Sequence, residues 1–355
     1  MTRRVAIIGA GIGAQHVDGF AALPGRFTVA TICDLDGARG KALASAAGAA
    51  FTTDMRQVLD DPGIDIVDVC LPPHLHLDAC EAALGAGKVV ICEKPLVASL
   101  AECDRLEAAS RAAGQPVFPV FQYRFGTGSA QLRALIAAGL AGRPVAGSLE
   151  THWNRDAAYY AVPWRGTWAG ERGGCVLGHA IHIHDLVSWL MGPPVQVQAA
   201  LGNPVHDIET EDSAALTFRL EGGALVTSSV TLGGADDHSR LRLVFEGVTV
   251  TSDTEAYAPA RAPWRFVARD PVAQEAVDAV LAGVGPVPAG YAGLFGAVAD
   301  ALDGEPSDAV TLADGRRSLE LVTAIYHADR TARAVDLPPG PGHPLYHTWL
   351  PEDAR

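Results

Sequence analysis

The sequence is short of basic residues, and lysine is almost absent from it. Lysine occurs only at Lys41, Lys88 and Lys94, and 41 acidic side chains outnumber the 27 basic ones, for a formal net charge of −14. Such a chain lacks the clustered Lys and Arg that nucleic acid or an anionic membrane surface requires, so neither is expected as a partner. A reaction that needs a titratable amine has only three places to find one.

Long apolar runs and paired cysteines are missing as well. No run approaches about 18 uninterrupted apolar residues, so no membrane-spanning helix is predicted. The opening MTRRVAIIGAG enters a strand pattern at once, which leaves no room for a signal peptide. The six cysteines form no C-x-x-C pair and three of them end apolar runs, which predicts small buried residues and neither disulfides nor a cysteine metal site. These features predict a cytoplasmic protein.

The composition is that of a well-packed globular chain. Hydrophobic residues make up 48% of the sequence and charged residues 19%, which excludes a disordered protein. The 355 residues are enough for two domains, each with its own core, at roughly 150 residues per domain.

Short apolar runs alternate with helical patterns up to residue 121. Strands are predicted at residues 4–8, 27–33, 64–70, 89–92 and 117–121. Helices are predicted at residues 14–23, 36–48, 75–84 and 100–113. Because parallel strands need crossover connections, this alternation predicts βαβ units and a doubly wound parallel sheet.

The pattern changes after residue 124. A helix is predicted at 126–139, a strand at 145–153 and a helix at 175–191. Strand-like runs at 214–220, 224–232 and 241–245 are separated by glycine-rich turns, and helical patterns return over 271–333. The chain is therefore predicted to be α/β, with a dinucleotide-type domain at 1–122 and an α+β domain with a mainly antiparallel sheet at 123–355.

A glycine-rich turn follows the first strand. Gly9-Ala10-Gly11-Ile12-Gly13-Ala14 is G-x-G-x-x-A, in which Gly9 allows the tight turn and Gly11 lets the backbone approach a pyrophosphate. The free N–H groups of the following helix bind phosphate. Twenty residues after Ala14, Asp34 ends the second strand, where a carboxylate accepts hydrogen bonds from ribose hydroxyls and repels a 2′-phosphate. NAD is therefore favoured over NADP, although Arg39 nearby weakens that preference slightly.

Two further loops follow strands of the same predicted sheet. One is Leu71-Pro72-Pro73-His74-Leu75-His76 and the other is Glu93-Lys94-Pro95. Ligands of open α/β sheets collect at the carboxyl ends of the strands, so these loops are expected beside the cofactor. An ammonium group there can hydrogen-bond a substrate hydroxyl and lower the pKa of its proton. A solvated Glu–Lys pair is the alternative interpretation.

A histidine-rich helix is predicted in the second half. At 100° per residue, His179, His182 and Asp185 share one face, while His184 points away from them. An imidazole titrates near neutrality and a carboxylate can fix its tautomer, so this set suits proton transfer. Catalytic zinc takes three protein ligands and only two of these histidines share a face, so no metal is expected.

Five aromatic residues lie between positions 153 and 168. They are Trp153, Tyr159, Tyr160, Trp164 and Trp168, with Arg155, Asp156 and Arg165 among them. One interpretation is a loop that packs its own rings. The other is a sugar site, in which the C–H faces of a pyranose pack on rings while charged groups bind hydroxyls.

Several of these segments together resemble the Gfo/Idh/MocA family of oxidoreductases, named for glucose–fructose oxidoreductase and inositol dehydrogenase. The similar segments are V-A-I-I-G-A-G-I-G-A, P-P-H-L-H, G-K-V-V-I-C-E-K-P-L, F-Q-Y-R-F, G-G-C-V-L-G-H-A-I-H-I-H-D-L and S-L-E-L-V-T-A-I-Y-H-A-D-R-T. The resemblance covers nearly the whole chain. It implies an N-terminal Rossmann domain and a C-terminal α+β domain whose open sheet often joins subunits into a homo-oligomer.

The resemblance also implies residue roles. Lys94 and His182 take the catalytic roles in proton removal. The cofactor-binding set is Gly9, Gly11, Ile12, Gly13, Asp34, Arg39, Leu71, Pro72, His74, His76, Glu93, Lys94, Gln122 and Arg165. The substrate-binding set is Arg124, Trp153, Trp164, His179 and Asp185. Many family members have an aspartate four residues before the catalytic histidine, where this chain has Gly178, and Asp185 or His179 could substitute for it.

The function expected from these features is NAD-dependent oxidation of a secondary alcohol or hemiacetal on a sugar, polyol or glycoside. Two alternatives remain open. A regulator could bind NAD on this fold without turnover. An NAD-dependent glycosidase of the same architecture would oxidise a sugar transiently and end with net hydrolysis.

Overall fold

The computed structural model describes residues 2–354, which form two compact units. The first unit consists of Met1–Val120 and Tyr291–Arg316, and the second of Phe121–Gly290 and Arg317–Arg355. The chain first passes from one unit to the other after Val120, close to the expected boundary at residue 122. The return of residues 291–316 to the first unit is not part of the division expected from the sequence.

The strands and helices alternate in the first third of the chain and separate into groups afterwards. The strands are β1 (Arg3–Ile8), β2 (Phe27–Cys33), β3 (Ala50–Thr52), β4 (Ile66–Val69), β5 (Val89–Cys92), β6 (Val117–Pro119), β7 (Pro144–Asn154), β8 (Pro194–Gly202), β9 (Ser213–Leu220), β10 (Leu225–Thr231), β11 (Gly233–Phe245), β12 (Val248–Thr251), β13 (Arg265–Ala268) and β14 (Val335–Asp336). The helices are α1 (Gly13–Ala21), α2 (Gly37–Ala47), α3 (Met55–Leu59), α4 (His76–Gly85), α5 (Leu100–Ala113), α6 (Thr127–Ala137), α7 (Ala157–Tyr160), α8 (Trp168–Glu171), α9 (Ile181–Met191), α10 (Gln274–Ala282), α11 (Gly290–Asp303) and α12 (Leu312–Thr331).

The first unit has the predicted doubly wound sheet. Its six strands are all parallel, in the order β3-β2-β1-β4-β5-β6. The apolar runs of β1, β4 and β5 are buried, as expected for strands covered by helices on both faces. The strand order reverses between β1 and β4, and this is where ligands of such sheets bind, outside the carboxyl ends of the strands.

Helix α11 returns the chain to the first unit through aromatic packing. The ring of Phe295 stacks on that of Phe20, with centroids 3.9 Å apart. Arg26 donates hydrogen bonds to Asp300 and Asp303. Helical periodicity shows that one side of α11 is apolar but not which core it joins, so the sequence could not assign this segment.

The second unit is built on an eight-stranded, mainly antiparallel sheet, as predicted. The strand order is β13-β12-β11-β7-β10-β9-β8-β14. Strands β7 and β10 pair in parallel, while the other neighbours pair antiparallel. The predicted meander accounts for β9, β10 and β11, but the pattern gave no signal for the pairing of β7 with β10.

One face of this second sheet is covered and the other is exposed. Along β9 and β10 buried and exposed residues alternate, so that Leu216 and Val226 point into the core that also contains Leu186 of α9. The opposite face carries short polar side chains, among them Thr217, Thr227 and Ser229. Within residues 2–354, no helix has the length and apolar character needed to cross a bilayer.

Candidate functional site

The glycine-rich turn after β1 has the conformation that the sequence predicts. Gly9 has φ +104°, and a Cβ there would lie 2.3 Å from the carbonyl oxygen of Cys70, so only glycine fits this position. At Gly11, by contrast, the described residues leave open space around the Cβ position for 4 Å. Gly13 is the residue that allows close packing, since its Cβ would lie 2.8 Å from Ile7. The turn therefore has room for a pyrophosphate beside Gly11 at the start of α1.

Asp34 directly follows β2 beside this turn and is almost fully buried. Its carboxylate accepts hydrogen bonds from the N–H groups of Ala10 (2.6 Å) and Asp36 (2.7 Å). Arg39 donates to both oxygens as well, through Nη2 at 3.0 and 3.1 Å. Burial raises the pKa of Asp34, but these hydrogen bonds outweigh it and hold the pKa below its ordinary value. An ionised carboxylate thus lies where a dinucleotide ribose would bind.

The loops after β4 and β5 reach the same edge of the sheet. The ring of the fully buried His76 joins them, with Nδ1 2.7 Å from the carbonyl oxygen of Pro95 and Nε2 2.8 Å from that of Leu71. His74 is exposed, and Leu71, Pro72 and Lys94 are partly exposed. The two contacts of the His76 ring therefore hold both loops in place, and Lys94 lies at the carboxyl end of β5.

A buried group of acids and a histidine lies beneath these loops. His16 of α1 is within hydrogen-bond distance of Asp68 in β4 (2.8 Å) and of Glu93 after β5 (3.1 Å). The Sγ atom of Cys70 is 3.3 Å from the same imidazole. All four residues are buried. Neither His16 nor Asp68 was expected at a site from the sequence, although a charged residue inside the apolar run 64–70 is a signal for Asp68.

In the second unit, two predicted substrate-binding residues pair with each other. Arg124 donates two hydrogen bonds to the carboxylate of Asp185, at 2.7 and 2.6 Å, and both side chains are about 95% buried. Gln122 lies in the same 3₁₀ turn as Arg124 and is also buried. Asp185 therefore anchors the turn at residues 122–124 to helix α9.

The histidine-rich segment is not a regular α-helix. Residues Val176–Ala180 form a π-helix that continues into α9, so the step of 100° per residue does not apply before residue 181. The ring of His182 stacks on Tyr123 at 4.7 Å. His179 lies instead against Trp153, at 5.2 Å, and within 3.3 Å of the Tyr159 hydroxyl. The side chains that the sequence placed on one face thus have different neighbours.

The aromatic segment packs around two arginines. The guanidinium of Arg155 lies 4.9 Å from the ring centre of Trp153 and hydrogen-bonds Asp237. Arg165 lies 4.4 Å from the ring centre of Trp164, forms an ion pair with Glu171 at 2.9 Å and donates to the Tyr159 hydroxyl. Trp153 is itself buried, and its Nε1 donates to Ser239. These contacts agree with the interpretation of a loop that packs its own rings, and Tyr159 also lies 5.0 Å from Tyr160. The sugar site stays a prediction.

The start of the histidine-rich segment is fixed by a carboxyl group that the sequence analysis missed. Oε1 of Glu211 accepts hydrogen bonds from the N–H groups of Gly174 and Val176 and from the Tyr326 hydroxyl, at 3.0 to 3.2 Å. Gly174 is required here because a Cβ would lie 1.9 Å from the Glu211 carbonyl oxygen. Burial raises the pKa of Glu211 to about 7. No sequence pattern links residue 211 to residues 174–176.

The predicted site residues thus fall into two sets. In the first unit, the carboxyl ends of β1, β2, β4 and β5 carry Gly9, Gly11, Ile12, Gly13, Asp34, Arg39, Leu71, Pro72, His74, Glu93 and Lys94, with His76 beneath them. In the second unit lie Gln122, Arg124, Trp153, Trp164, Arg165, His179, His182 and Asp185.

Two family models match this chain. Residues 3–121 match the model described as "Oxidoreductase family, NAD-binding Rossmann fold". Residues 129–251 match the model of the Gfo/Idh/MocA C-terminal domain. The two matches together cover more than half of the chain and both units.

Similar proteins include two named dehydrogenases. Inositol 2-dehydrogenase 1 of Saccharopolyspora erythraea is 32% identical over 199 residues, which is 55% of this chain and 56% of that protein. Levoglucosan dehydrogenase of Pseudarthrobacter phenanthrenivorans is 31% identical over 208 residues, which is 56% of this chain and 53% of that protein. The matched region thus spans little more than half the length of these relatives.

Solved structures extend the similarity over the whole chain. The WlbA dehydrogenase of Bordetella pertussis, in complex with NADH and UDP-GlcNAcA, superposes with a TM-score of 0.82 at 26% identity. The superposition covers 96% of this chain and 99% of that one. Both units therefore have the architecture of this solved dehydrogenase.

Proposed function

Because the chain belongs to the Gfo/Idh/MocA family of oxidoreductases, we propose that it is an NAD-dependent dehydrogenase. Its substrate is a secondary alcohol or hemiacetal of a sugar, polyol or glycoside. The observation that carries this proposal lies in the first unit, where Lys94 leaves β5 at the sheet edge that also holds the glycine turn and Asp34. An amine at the edge where a dinucleotide binds can act on a substrate hydroxyl.

NAD supplies the acceptor for the hydride that leaves the carbinol carbon. The residues present fit that cofactor, since Gly11 leaves open space for the pyrophosphate and the start of α1 offers free N–H groups. The carboxylate of Asp34 accepts hydrogen bonds from the ribose hydroxyls and repels a 2′-phosphate. NAD is therefore preferred to NADP.

We assign proton removal from the substrate hydroxyl to His182, with Lys94 assisting it. The packing of His182 on Tyr123 fixes the orientation of the imidazole, and an imidazole is a base near neutral pH. An ammonium group beside a substrate hydroxyl lowers the pKa of its proton, and this is the role proposed for Lys94.

The arginines of the second unit support an uncharged substrate. The guanidinium groups of Arg124, Arg155 and Arg165 are each paired with a carboxylate, from Asp185, Asp237 and Glu171 respectively. Positive charge that is already neutralised adds little attraction for a sugar acid. Aromatic rings beside hydroxyl-binding groups suit a neutral sugar or polyol better.

We further propose that the protein is a cytoplasmic homo-oligomer. Support for the oligomer comes from the exposed face of the second sheet, where a shallow groove is lined by uncharged side chains of β8, β9 and β10 and by Glu150 of β7. Support for the location comes from the cysteines, because all six are free and buried.

The test is a panel of sugars, inositols and glycosides incubated with NAD while NADH absorbance is followed. We expect one or more polyols to reduce NAD, and Lys94→Ala to lower turnover by about 100-fold or more, as loss of acid–base catalysis does. Lys41→Ala, which removes an exposed lysine on α2, is the matched control. Wild-type turnover in Lys94→Ala would remove that lysine from the reaction. Release of an aglycone without net NADH would instead identify a glycosidase.

A further inference from the structure

The reaction proposed above gives no role to the buried cluster formed by His16, Asp68 and Glu93. His16 Nδ1 lies 2.8 Å from Asp68 Oδ2, and His16 Nε2 lies 3.1 Å from Glu93 Oε1. His16 and Asp68 have no solvent exposure and Glu93 has 5%. Two carboxylates and an imidazole are costly to bury, so an arrangement of this kind calls for a physical explanation.

The geometry sets the charge on His16. An ionised carboxylate only accepts hydrogen bonds, and each ring nitrogen of His16 faces a carboxylate oxygen. With both carboxyl groups ionised, both nitrogens donate and the ring is an imidazolium between two anions. Burial lowers the pKa of His16, but the charges and hydrogen bonds of Asp68 and Cys70 together outweigh burial and leave this pKa well above its ordinary value.

The cluster connects three elements at the carboxyl edge of the parallel sheet, where the cofactor is proposed to bind. His16 belongs to α1, the helix that begins in the glycine turn, Asp68 belongs to β4, and Glu93 follows β5. The second oxygen of Glu93, Oε2, accepts a hydrogen bond from the backbone N–H of Lys94 at 3.0 Å. The Tyr291 hydroxyl approaches Oε1 at 3.4 Å. Glu93 is thus held on one side by His16 and itself holds the backbone of Lys94.

We propose that His16 is a positioning residue for Lys94. It fixes the carboxylate of Glu93 from below, and Glu93 in turn fixes the peptide from which the Lys94 side chain extends. Removing one partner of an ion pair this deeply buried is strongly destabilising. The backbone of the turn at residues 93–95 therefore has little conformational freedom while His16 is present. The inference rests on the role assigned to Lys94 under the proposed function.

A metal ion is the competing explanation for the same residues. His16, Asp68 and Cys70 offer ligand atoms within 4.8 Å of one another. Two ligands of one tetrahedral zinc ion, with bonds of about 2.0 to 2.1 Å, lie about 3.3 Å apart. The 2.8 Å between His16 Nδ1 and Asp68 Oδ2 is a hydrogen-bond distance instead.

The test replaces His16 and Asp68 together. His16→Phe keeps a ring in the interior, and the added Asp68→Asn removes one of the two buried carboxylates that lose their imidazole partner, while Glu93 keeps its contacts with the Lys94 N–H and the Tyr291 hydroxyl. We expect kcat on the substrate found in the panel to fall about 10- to 100-fold, the cost of a small misplacement of a reacting group. NADH affinity, measured by fluorescence titration, is expected to fall less than kcat, because the glycine turn and Asp34 are unchanged.

A second measurement follows Lys94 without turnover. Because the chain has only three lysines, reductive ¹³C-methylation gives three lysine signals in an NMR spectrum, besides that of the N-terminal amine. Loss of one signal in Lys94→Arg assigns it. We expect the Lys94 signal of the double variant to move in chemical shift and in titration midpoint. The signals of Lys41 and Lys88 remain in place, since Lys88 is held by the carbonyl groups of Asp61 and Ile64.

Cys70→Ala is the matched control, since it removes a neighbour of His16 that holds none of the three elements together. It should leave kcat and the Lys94 signal unchanged. An unmoved Lys94 signal in the folded double variant would overturn the proposal, and so would a metal ion bound by the wild type and lost in Cys70→Ala. If the double variant does not fold, Glu93→Gln is expected to move the Lys94 signal in its place. A moved signal together with full turnover in Lys94→Ala would refute the proposed function but not the positioning.

Discussion

We propose that Asp34, which follows β2, and Arg39 of α2 together set the choice between NAD and NADP. The carboxylate of Asp34 is 95% buried and the Arg39 side chain is 53% exposed, so the arginine covers the acid from the solvent side. A nicotinamide dinucleotide with free ribose hydroxyls suits the acid, and one with a 2′-phosphate suits the arginine. The balance between NAD and NADP depends on which of the two side chains faces the ribose.

We expect Asp34→Ala to narrow the difference in affinity between NADH and NADPH. The substitution removes the hydroxyl acceptor and releases Arg39 for a 2′-phosphate. Adding Arg39→Ala to this variant should remove the gain in NADPH affinity, while Arg39→Ala alone should leave NADH preferred. Dissociation constants from fluorescence titration measure both effects. An unchanged ratio in Asp34→Ala would remove that carboxylate from cofactor selection.

Glu211 is a residue whose burial affects stability across the neutral range. The pKa of Glu211 rises from 4.5 to about 7 in the folded protein because of burial. Between these values the folded chain keeps a proton that the unfolded chain has lost. The contribution of Glu211 to the free energy of unfolding is therefore fully present below pH 4.5 and is lost as the pH rises toward 7.

Glu211→Gln should remove this dependence. The glutamine oxygen can accept the same hydrogen bonds from Gly174, Val176 and Tyr326, and the amide cannot ionise. Relative to the wild type, we expect the variant to gain up to about 3 kcal/mol of unfolding free energy between pH 5 and pH 8. Urea denaturation at both pH values measures it, with Glu221→Gln at an exposed turn as the control. If the variant and the wild type differed by the same unfolding free energy at both pH values, the assignment of this pH dependence to Glu211 would be contradicted.

At the scale of elements, sequence patterns predicted those features that depend on interactions between residues close together in the sequence. The β-branched run at residues 4–8, the glycine turn and Asp34 lie where the sequence placed them, because turn geometry and strand burial are set by neighbouring residues. The π-helix at Val176–Ala180 was missed because it depends on Glu211, a residue distant in sequence. The pairing of Arg124 with Asp185 was missed for the same reason.

Gly178 lies in that π-helix, four residues before His182, and allows a test of the segment. Outside its own helix, no atom of the described residues lies within 4 Å of the position that a Cβ would take at Gly178, so a larger side chain fits there. We expect Gly178→Asp to raise the pKa of His182, since a nearby anion favours the charged imidazole. If His182 must be neutral to accept the proton, the acidic limb of the kcat/KM profile moves to higher pH by about one unit. Gly178→Asn, which has the same shape without the charge, should leave the limb in place, and an equal shift in both variants would rule out this explanation.

At the scale of the whole molecule, chain order and spatial order differ. The sequence predicted two domains and their fold classes, since strand–helix alternation and the meander are visible as patterns. It could not predict that residues 291–316 return to the first unit, because the contacts of α11 with Phe20 and Arg26 join positions about 275 residues apart. Assembly between subunits is a property of the same kind, since it depends on surfaces rather than on local pattern.

The exposed face of the second sheet is where we expect that assembly to occur. Its central side chains, including Thr217, Thr227 and Ser229, are short and uncharged, so a second copy of the chain can pack against them closely. We expect Thr217→Lys combined with Thr227→Lys to convert the oligomer into monomers, because like charges on both copies would have to be buried together. Light scattering after gel filtration gives the mass of each species. Ala42→Lys with Ala46→Lys on the exposed side of α2 adds the same charge away from the sheet and should leave the mass unchanged. An oligomer of undiminished mass in the sheet variant would show that the subunits meet elsewhere.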